Sequence, residues 1–163
     1  MKSLEELREF FSHDRYATAT TGIEILEAQD GYAKVGLAVR EGHMNAGNRV
    51  MGAVYYTMAD FAFAVASNPD AGDAPITFTL SSQINFLTPA KGKYLIADAR
   101  AVRKGRRTSF YAAEIKDELG TLIATVSSIG FRMESCSVSR SCRERRQAHI
   151  WRRHTHRNMW REQ

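Results

Sequence analysis

From Val50 to Pro69 the chain carries a single charge, Asp60, in an otherwise mostly apolar run. Such a segment has two possible surroundings, a bilayer or the interior of a folded domain. A spanning helix needs about 20 predominantly apolar residues. This run also holds Gly52, Tyr55, Tyr56, Thr57, Ser67 and Asn68, and a carboxylate at mid-bilayer is expensive. The run therefore predicts a helix buried inside a soluble protein. It should end near Ser67, because Asn68-Pro69 cannot comfortably continue it.

A helix that is apolar nearly all round needs a broad cover, and the flanking segments supply one. Residues 3–12 read as a short amphipathic helix with Ser3 as N-cap, Glu5 and Glu6 in the first turn, and Leu4, Leu7, Phe10 and Phe11 on one face. Residues 18–28 and 32–39 alternate loosely, with Asp30-Gly31 between them as a hairpin signal. After the buried helix, residues 75–87, 94–103, 108–116 and 121–133 read as strands. They are separated by turns at 88–93, at the basic 104–107 and at Asp117-Glu118-Leu119-Gly120. The expected class is α+β, an antiparallel sheet wrapped around a long central helix.

Composition divides the chain at Met133. Residues 134–163 hold eight Arg against three Glu, together with both Cys, both Trp and three of the five His. The body, 1–133, is neutral and contains all six Lys. Its size suits one domain that needs no disulfide or structural metal. The tail shows no apolar period, and its Arg-only basic usage points to a disordered or non-native extension. An arginine-rich nucleic-acid arm is the functional alternative. Cys136 and Cys142 are too loosely spaced for a zinc site, so no metal is expected. The absence of paired Cys in the body and the acidic N-terminal stretch lacking an apolar core predict a cytoplasmic protein.

Three features can carry chemistry. Asp60 is either a base or nucleophile lining a pocket, or a structural carboxylate bonded to Tyr56 or Thr57 one turn earlier. Gly52, near the helix start, either lets a ligand approach free backbone N–H groups or permits close packing. Eight residues separate the two, roughly 12 Å along a helix axis. A site using both requires two antiparallel helices across a two-fold axis, hence a dimer. The turn Arg103-Lys104-Gly105-Arg106-Arg107 suits either a phosphate-rich ligand or plain solvation. His13 and His43 read as structural. Nucleotide-binding glycine loops, nucleophile elbows and HExxH helices are absent.

The pattern His43-Met44-Asn45, Val50-Met51-Gly52-Ala53 and Ala59-Asp60 resembles the hotdog-fold acyl-CoA thioesterases of the phenylacetate-pathway and 4-hydroxybenzoyl-CoA type. The stretch Ile84-Asn85-Phe86-Leu87-Thr88-Pro89-Ala90 and the turns at 105–107 and 117–120 fit the same family, over about residues 13–133. The resemblance implies a hotdog fold and hydrolysis of acyl-CoA or aryl-CoA thioesters by a homodimer or homotetramer with sites at the dimer interface. It implies that Asp60 activates water or attacks the thioester carbonyl, that the Gly52 amide stabilises the oxyanion, and that Asn45 helps position water or carbonyl. It also implies that Lys104, Gly105, Arg106 and Arg107 contact coenzyme A, with Arg49 a weaker candidate.

No cofactor is implied beyond the coenzyme A moiety of the substrate, and no membrane or nucleic-acid partner. Two departures stand out. The family usually has His-Gly-Gly where this chain has Met51-Gly52-Ala53, and often Ser or Thr one turn after the acid, where this chain has Ala64. They leave open a non-catalytic acyl-CoA-binding dimer. A hotdog dehydratase is a further alternative that Met51 disfavours.

Overall fold

The computed structural model describes residues 1–72 and 75–133. Helix α1 (Leu4–Phe11) opens on a reciprocal cap. The Glu6 N–H donates to Ser3 Oγ at 3.3 Å, and the Ser3 N–H donates to Glu6 Oε2 at 2.8 Å. Leu7 and Phe11 form its buried side, and Phe11 meets Phe61 edge to face at 5.8 Å.

Where the sequence suggests a strand from residue 18, the chain instead makes a wide π-helical turn, Tyr16–Thr21. The Thr18 and Thr21 hydroxyls donate back to the carbonyls of Asp14 and Tyr16. Those local bonds draw the threonines away from the strand their β-branching favours. Strand β1 (Glu24–Gln29) therefore starts later and turns at Asp30-Gly31 into β2 (Tyr32–Ala38). A single turn, Glu41–His43, leads into the loop before α2 (Gly52–Ser67). Strands β3 (Thr77–Phe86), β4 (Tyr94–Lys104), β5 (Thr108–Asp117) and β6 (Leu122–Arg132) complete the fold.

Among the described residues, six strands form one antiparallel sheet in the order β1-β2-β4-β5-β6-β3. Alanines at 33, 97, 99, 113 and 124, all buried, make a shallow bed on its inner face. Into that bed α2 sinks Met58, Phe61, Phe63 and Val65. Phe63 is 1% exposed and stands edge-on to Tyr111 at 5.1 Å. Burial on this scale stabilises by roughly 2–3 kcal/mol per large side chain.

Past its last turn, α2 is fastened by a side chain that sequence marks only as a helix stop. Asn68 donates to the carbonyls of Ala64 and Thr77 and accepts the Thr77 N–H at 2.7 Å. No helix among the described residues is long and apolar enough to cross a membrane. Residues 134–163, expected to be an extension, lie outside the described residues.

Candidate active site

Sequence reading buries α2 on all sides, but the structure leaves one stripe uncovered. Ala53, Tyr56, Thr57, Asp60, Ala64 and Ser67, at three- and four-residue spacing, escape burial within the chain. Asp60 is thus half-exposed rather than enclosed. Its partner also differs from expectation. Thr57 turns back to the Ala53 carbonyl at 2.8 Å, as a threonine inside a helix readily does. Instead Thr79 of β3 donates its hydroxyl to Asp60 Oδ1 at 2.7 Å.

A bulge puts Thr79 there. Thr79 pairs with Gly130 and Ser81 with Ile129, so the inserted Leu80 reverses the side-chain alternation partway along β3. Asp14, which follows α1, lies in the field of the same carboxylate. Burial first, and then the Asp60 charge, hold the Asp14 carboxyl above its ordinary range.

The N-terminus of α2 has Met51 as its N-cap and no side-chain cap. The Val54 N–H donates to the Met51 carbonyl at 2.9 Å, and the N–H groups of Gly52 and Ala53 precede any intrahelical acceptor. They open onto a cleft of about 380 Å3 lined by Asn45, Arg49, Gly52, Tyr55, Phe86 and Leu87. Gly52 lines the cleft and also packs closely. A Cβ at this position would stand 3.0 Å from the Phe86 ring, so any larger residue would need that ring to shift.

Asn45 is committed through its oxygen, which accepts the N–H groups of Gly47 at 2.9 Å and Arg49 at 3.2 Å. Only its Nδ2 donors remain for a ligand. The loop is anchored by His43, whose ring accepts the Arg40 N–H at 3.0 Å and pairs with the Thr21 carbonyl at 2.9 Å. The His43 carbonyl accepts the Met51 N–H at 2.8 Å, tying the loop to the start of α2. His43 is structural, as expected.

The far lip of the cleft is the turn after β3. Tyr55 is buried, and its hydroxyl accepts the Ala90 N–H at 3.3 Å. Asp117 Oδ2 accepts from Lys91 and Gly92, and Oδ1 from Leu119 and Thr121. Glu118 takes the Lys93 and Tyr94 N–H groups at 2.8 and 2.9 Å. What sequence marks as one turn is a clamp on another turn about 25 residues away.

The basic turn is elsewhere. Gly105 donates to the Thr108 carbonyl at 2.9 Å, and a Cβ on Gly105 would collide with that oxygen at 2.6 Å, which fixes a tight hairpin. Lys104 pairs with Asp30, while Arg106 is exposed. This turn adjoins Ser67 and Thr77 at the C-terminal end of α2. Within one chain, then, Asn45 and Gly52 come together, Asp60 lies about 12 Å further along the helix, and Lys104–Arg107 lie at the opposite end, about 24 Å away.

A model of the thioesterase superfamily matches residues 47–124, from the loop before Gly52 into β6. A protein of Archaeoglobus fulgidus named "Putative esterase" is 34% identical over 110 residues, covering 67% of this chain and 70% of that protein. The chain belongs to the hotdog thioesterase superfamily. The superfamily and the named relatives support thioester hydrolase activity. The acyl-coenzyme A thioesterase PaaI of Escherichia coli is 29% identical to this thioesterase over 124 residues, 76% of this chain and 86% of PaaI. The structure of E. coli PaaI matches with a TM-score of 0.68 at 25% identity, over 80% of this chain and 96% of that one. The TT0310 protein of Thermus thermophilus matches at 0.65 and 31% identity, over 71% and 96%.

Thr79, the partner of Asp60, is the candidate that sequence reasoning missed. If its hydroxyl orients Asp60, Thr79→Val should lower kcat about tenfold with little change in KM, and Thr79→Ser should restore it. Parallel losses in kcat and melting temperature that serine does not rescue would assign Thr79 to folding alone.

Proposed function

We propose that this protein hydrolyses acyl-CoA or aryl-CoA thioesters to the free acid and CoA at two symmetric sites shared between the protomers of a homodimer. The observation that carries this reading is the uncovered α2 stripe, with the Asp60–Thr79 pair about 12 Å from an uncapped helix start. In an antiparallel pair of such helices, Asp60 of one protomer faces Gly52 of its partner. Asp60 takes a proton from water, or attacks directly, and the carbonyl carbon becomes tetrahedral. The oxyanion falls to the Gly52 N–H and the Asn45 amide, whose only free role is donation. Collapse breaks the C–S bond and releases the CoA thiolate. Where water attacked, this leaves the free acid; where Asp60 attacked, it leaves an acyl–Asp60 anhydride that water then hydrolyses to the free acid.

The edge position of β3 supports the dimer. This ten-residue strand leaves Phe78 53% and Leu80 67% exposed, a long apolar edge that monomers ordinarily protect. The CoA moiety is supported by the likeness to E. coli PaaI, whose name specifies acyl-coenzyme A. The basic turn of Lys104, Gly105, Arg106 and Arg107 suits its phosphates.

Thiol release over a panel of short, aryl and long-chain CoA thioesters tests the activity, with light scattering of the same sample. Turnover by a dimer or tetramer is expected. An active monomer would contradict the shared site. Tight binding of CoA thioesters without release would favour the non-catalytic reading that Met51 and Ala64 raise.

A further inference from the structure

From Glu41 to Val50, only His43 and Val50 are buried; the rest of the loop that carries Asn45 is exposed. Two bonds close this loop on itself. The Asn45 N–H donates to the Arg49 carbonyl and the Met51 N–H to the His43 carbonyl, both at 2.8 Å, with Met44 bridged to Val50. Gly52 follows directly. Asn45 and the start of α2 thus belong to one small unit, and the His43 ring ties that unit to the rest of the fold.

The two ring nitrogens of His43 meet partners of opposite kind. The Arg40 N–H can only donate, so Nδ1, 3.0 Å away, holds no proton. The Thr21 carbonyl can only accept, so Nε2, at 2.9 Å, carries one. The ring is therefore neutral and in a single tautomer. Its carbonyl partner is presented by the wide turn Tyr16–Thr21, which the Thr21 hydroxyl itself braces on the Tyr16 carbonyl. A proton added at Nδ1 would set N–H against N–H around a ring only 7% exposed, and the Arg40 N–H would lose its acceptor.

No carboxylate bonds either ring nitrogen among the described residues. The charged groups of the segments that meet there are Asp14 and Arg15 ahead of the wide turn, and Arg40, Glu41 and Arg49 around the loop. The Arg40 guanidinium lies over Gly22, 3.3 Å from where a Cβ would stand. Before Asp60, α2 brings only the phenols of Tyr55 and Tyr56.

We propose that His43 is a positioning residue for thioester hydrolysis. As the neutral Nε2–H tautomer it holds the 43–52 unit so that the Asn45 amide and the Gly52 N–H converge on the oxyanion, and protonation of the ring releases them. This rests on the function proposed above. It gives the rate an acid limb separate from that of the Asp60 carboxylate, because histidine ordinarily changes charge between pH 5 and 8. Donors that act on the oxyanion serve the transition state, so their displacement lowers kcat more than it changes KM.

Two measurements on the full chain test this, one of them independent of activity. With isotope-labelled histidine, two-bond proton–nitrogen spectra report the tautomer, and the His43 signals are those missing from His43→Gln. The Nε2–H form is expected at pH 8. As pH falls, the backbone amides of Asn45, Gly47 and Gly52 should shift with the midpoint of the His43 ring. Exposed His13, whose Nδ1 lies 3.1 Å from the Phe10 carbonyl, should titrate without moving them.

In kinetics, wild-type kcat should fall about tenfold per pH unit below that midpoint, with KM changing less than about twofold. His43→Gln keeps a donor for Thr21 but has no ring to titrate. Its kcat should be about tenfold lower at pH 8 and then stay level over the same range. An Nδ1–H ring or an imidazolium at pH 8, loop amides indifferent to the ring's titration, or an acid limb in His43→Gln that matches wild type would each overturn the proposal. Absence of thiol release from every CoA thioester would instead overturn the activity, and the spectra alone would then decide whether His43 holds the loop.

Discussion

Asp60→Asn should lower kcat by about 100-fold or more while leaving the fold intact, in line with what a positioned base contributes. The substitution is nearly isosteric, and its carbonyl oxygen can still accept from Thr79, so the 2.7 Å bond need not be lost. It also falls on the half-exposed stripe of α2 rather than among Met58, Phe61 and Phe63. Circular dichroism and light scattering should therefore match wild type, which isolates the chemical step. Asp60→Glu should recover part of the rate, since a carboxylate returns at a displaced position. Near wild-type turnover by a folded Asp60→Asn dimer would remove Asp60 from the reaction and leave Asp14, a carboxylate within its field, as the group to test next.

The limits of what sequence reveals can be traced to individual residues. The span of α2 was legible because both its signals are local: an apolar run, and Asn68-Pro69 beyond which a helix cannot comfortably continue. The same holds for the Asp30-Gly31 hairpin and for the cap on α1. Residues 18–21 misled because three threonines favour a strand in isolation, and only the bonds of Thr18 and Thr21 to carbonyls four to six residues back select the wide turn. Asp60 was legible as the one charge in the helix, but its surroundings were not. Which face the sheet leaves open depends on the packing of all six strands.

Thr79 was hidden by the bulge at Leu80, since strict alternation gives no reason to pair it with a helix residue nineteen positions earlier. Asn45 was found by resemblance, yet the commitment of its oxygen to Gly47 and Arg49 appears only in the folded loop. The basic turn was recognised by composition, but its distance from Gly52 was not, because that separation is a property of topology.

The largest loss of stability should come from Asp117, outside any reacting group. Burial works to raise its carboxyl, but backbone N–H groups of Lys91, Thr121 and Gly92 outweigh it and hold the group down to about 2, from an ordinary 3.8. A folded value below the unfolded one means that the charged form is favoured by folding. The contribution is therefore complete above about pH 4 and is lost as pH falls from there towards 2. Asp117→Ala would remove the acceptor from the part-buried N–H groups of Lys91, Gly92, Leu119 and Thr121 at once, and leaving such donors unmet costs more than the bonds had gained. Its melting temperature should fall by roughly 5–10 °C at pH 7. Asp117→Asn should fall less and show a flatter decline between pH 4 and 2 than wild type. The loosened 88–93 turn should also raise KM, since the same turn gives the cleft Pro89 and gives Tyr55 its Ala90 partner. An acid limb as steep in Asp117→Asn as in wild type would show that some other carboxylate governs stability in that range.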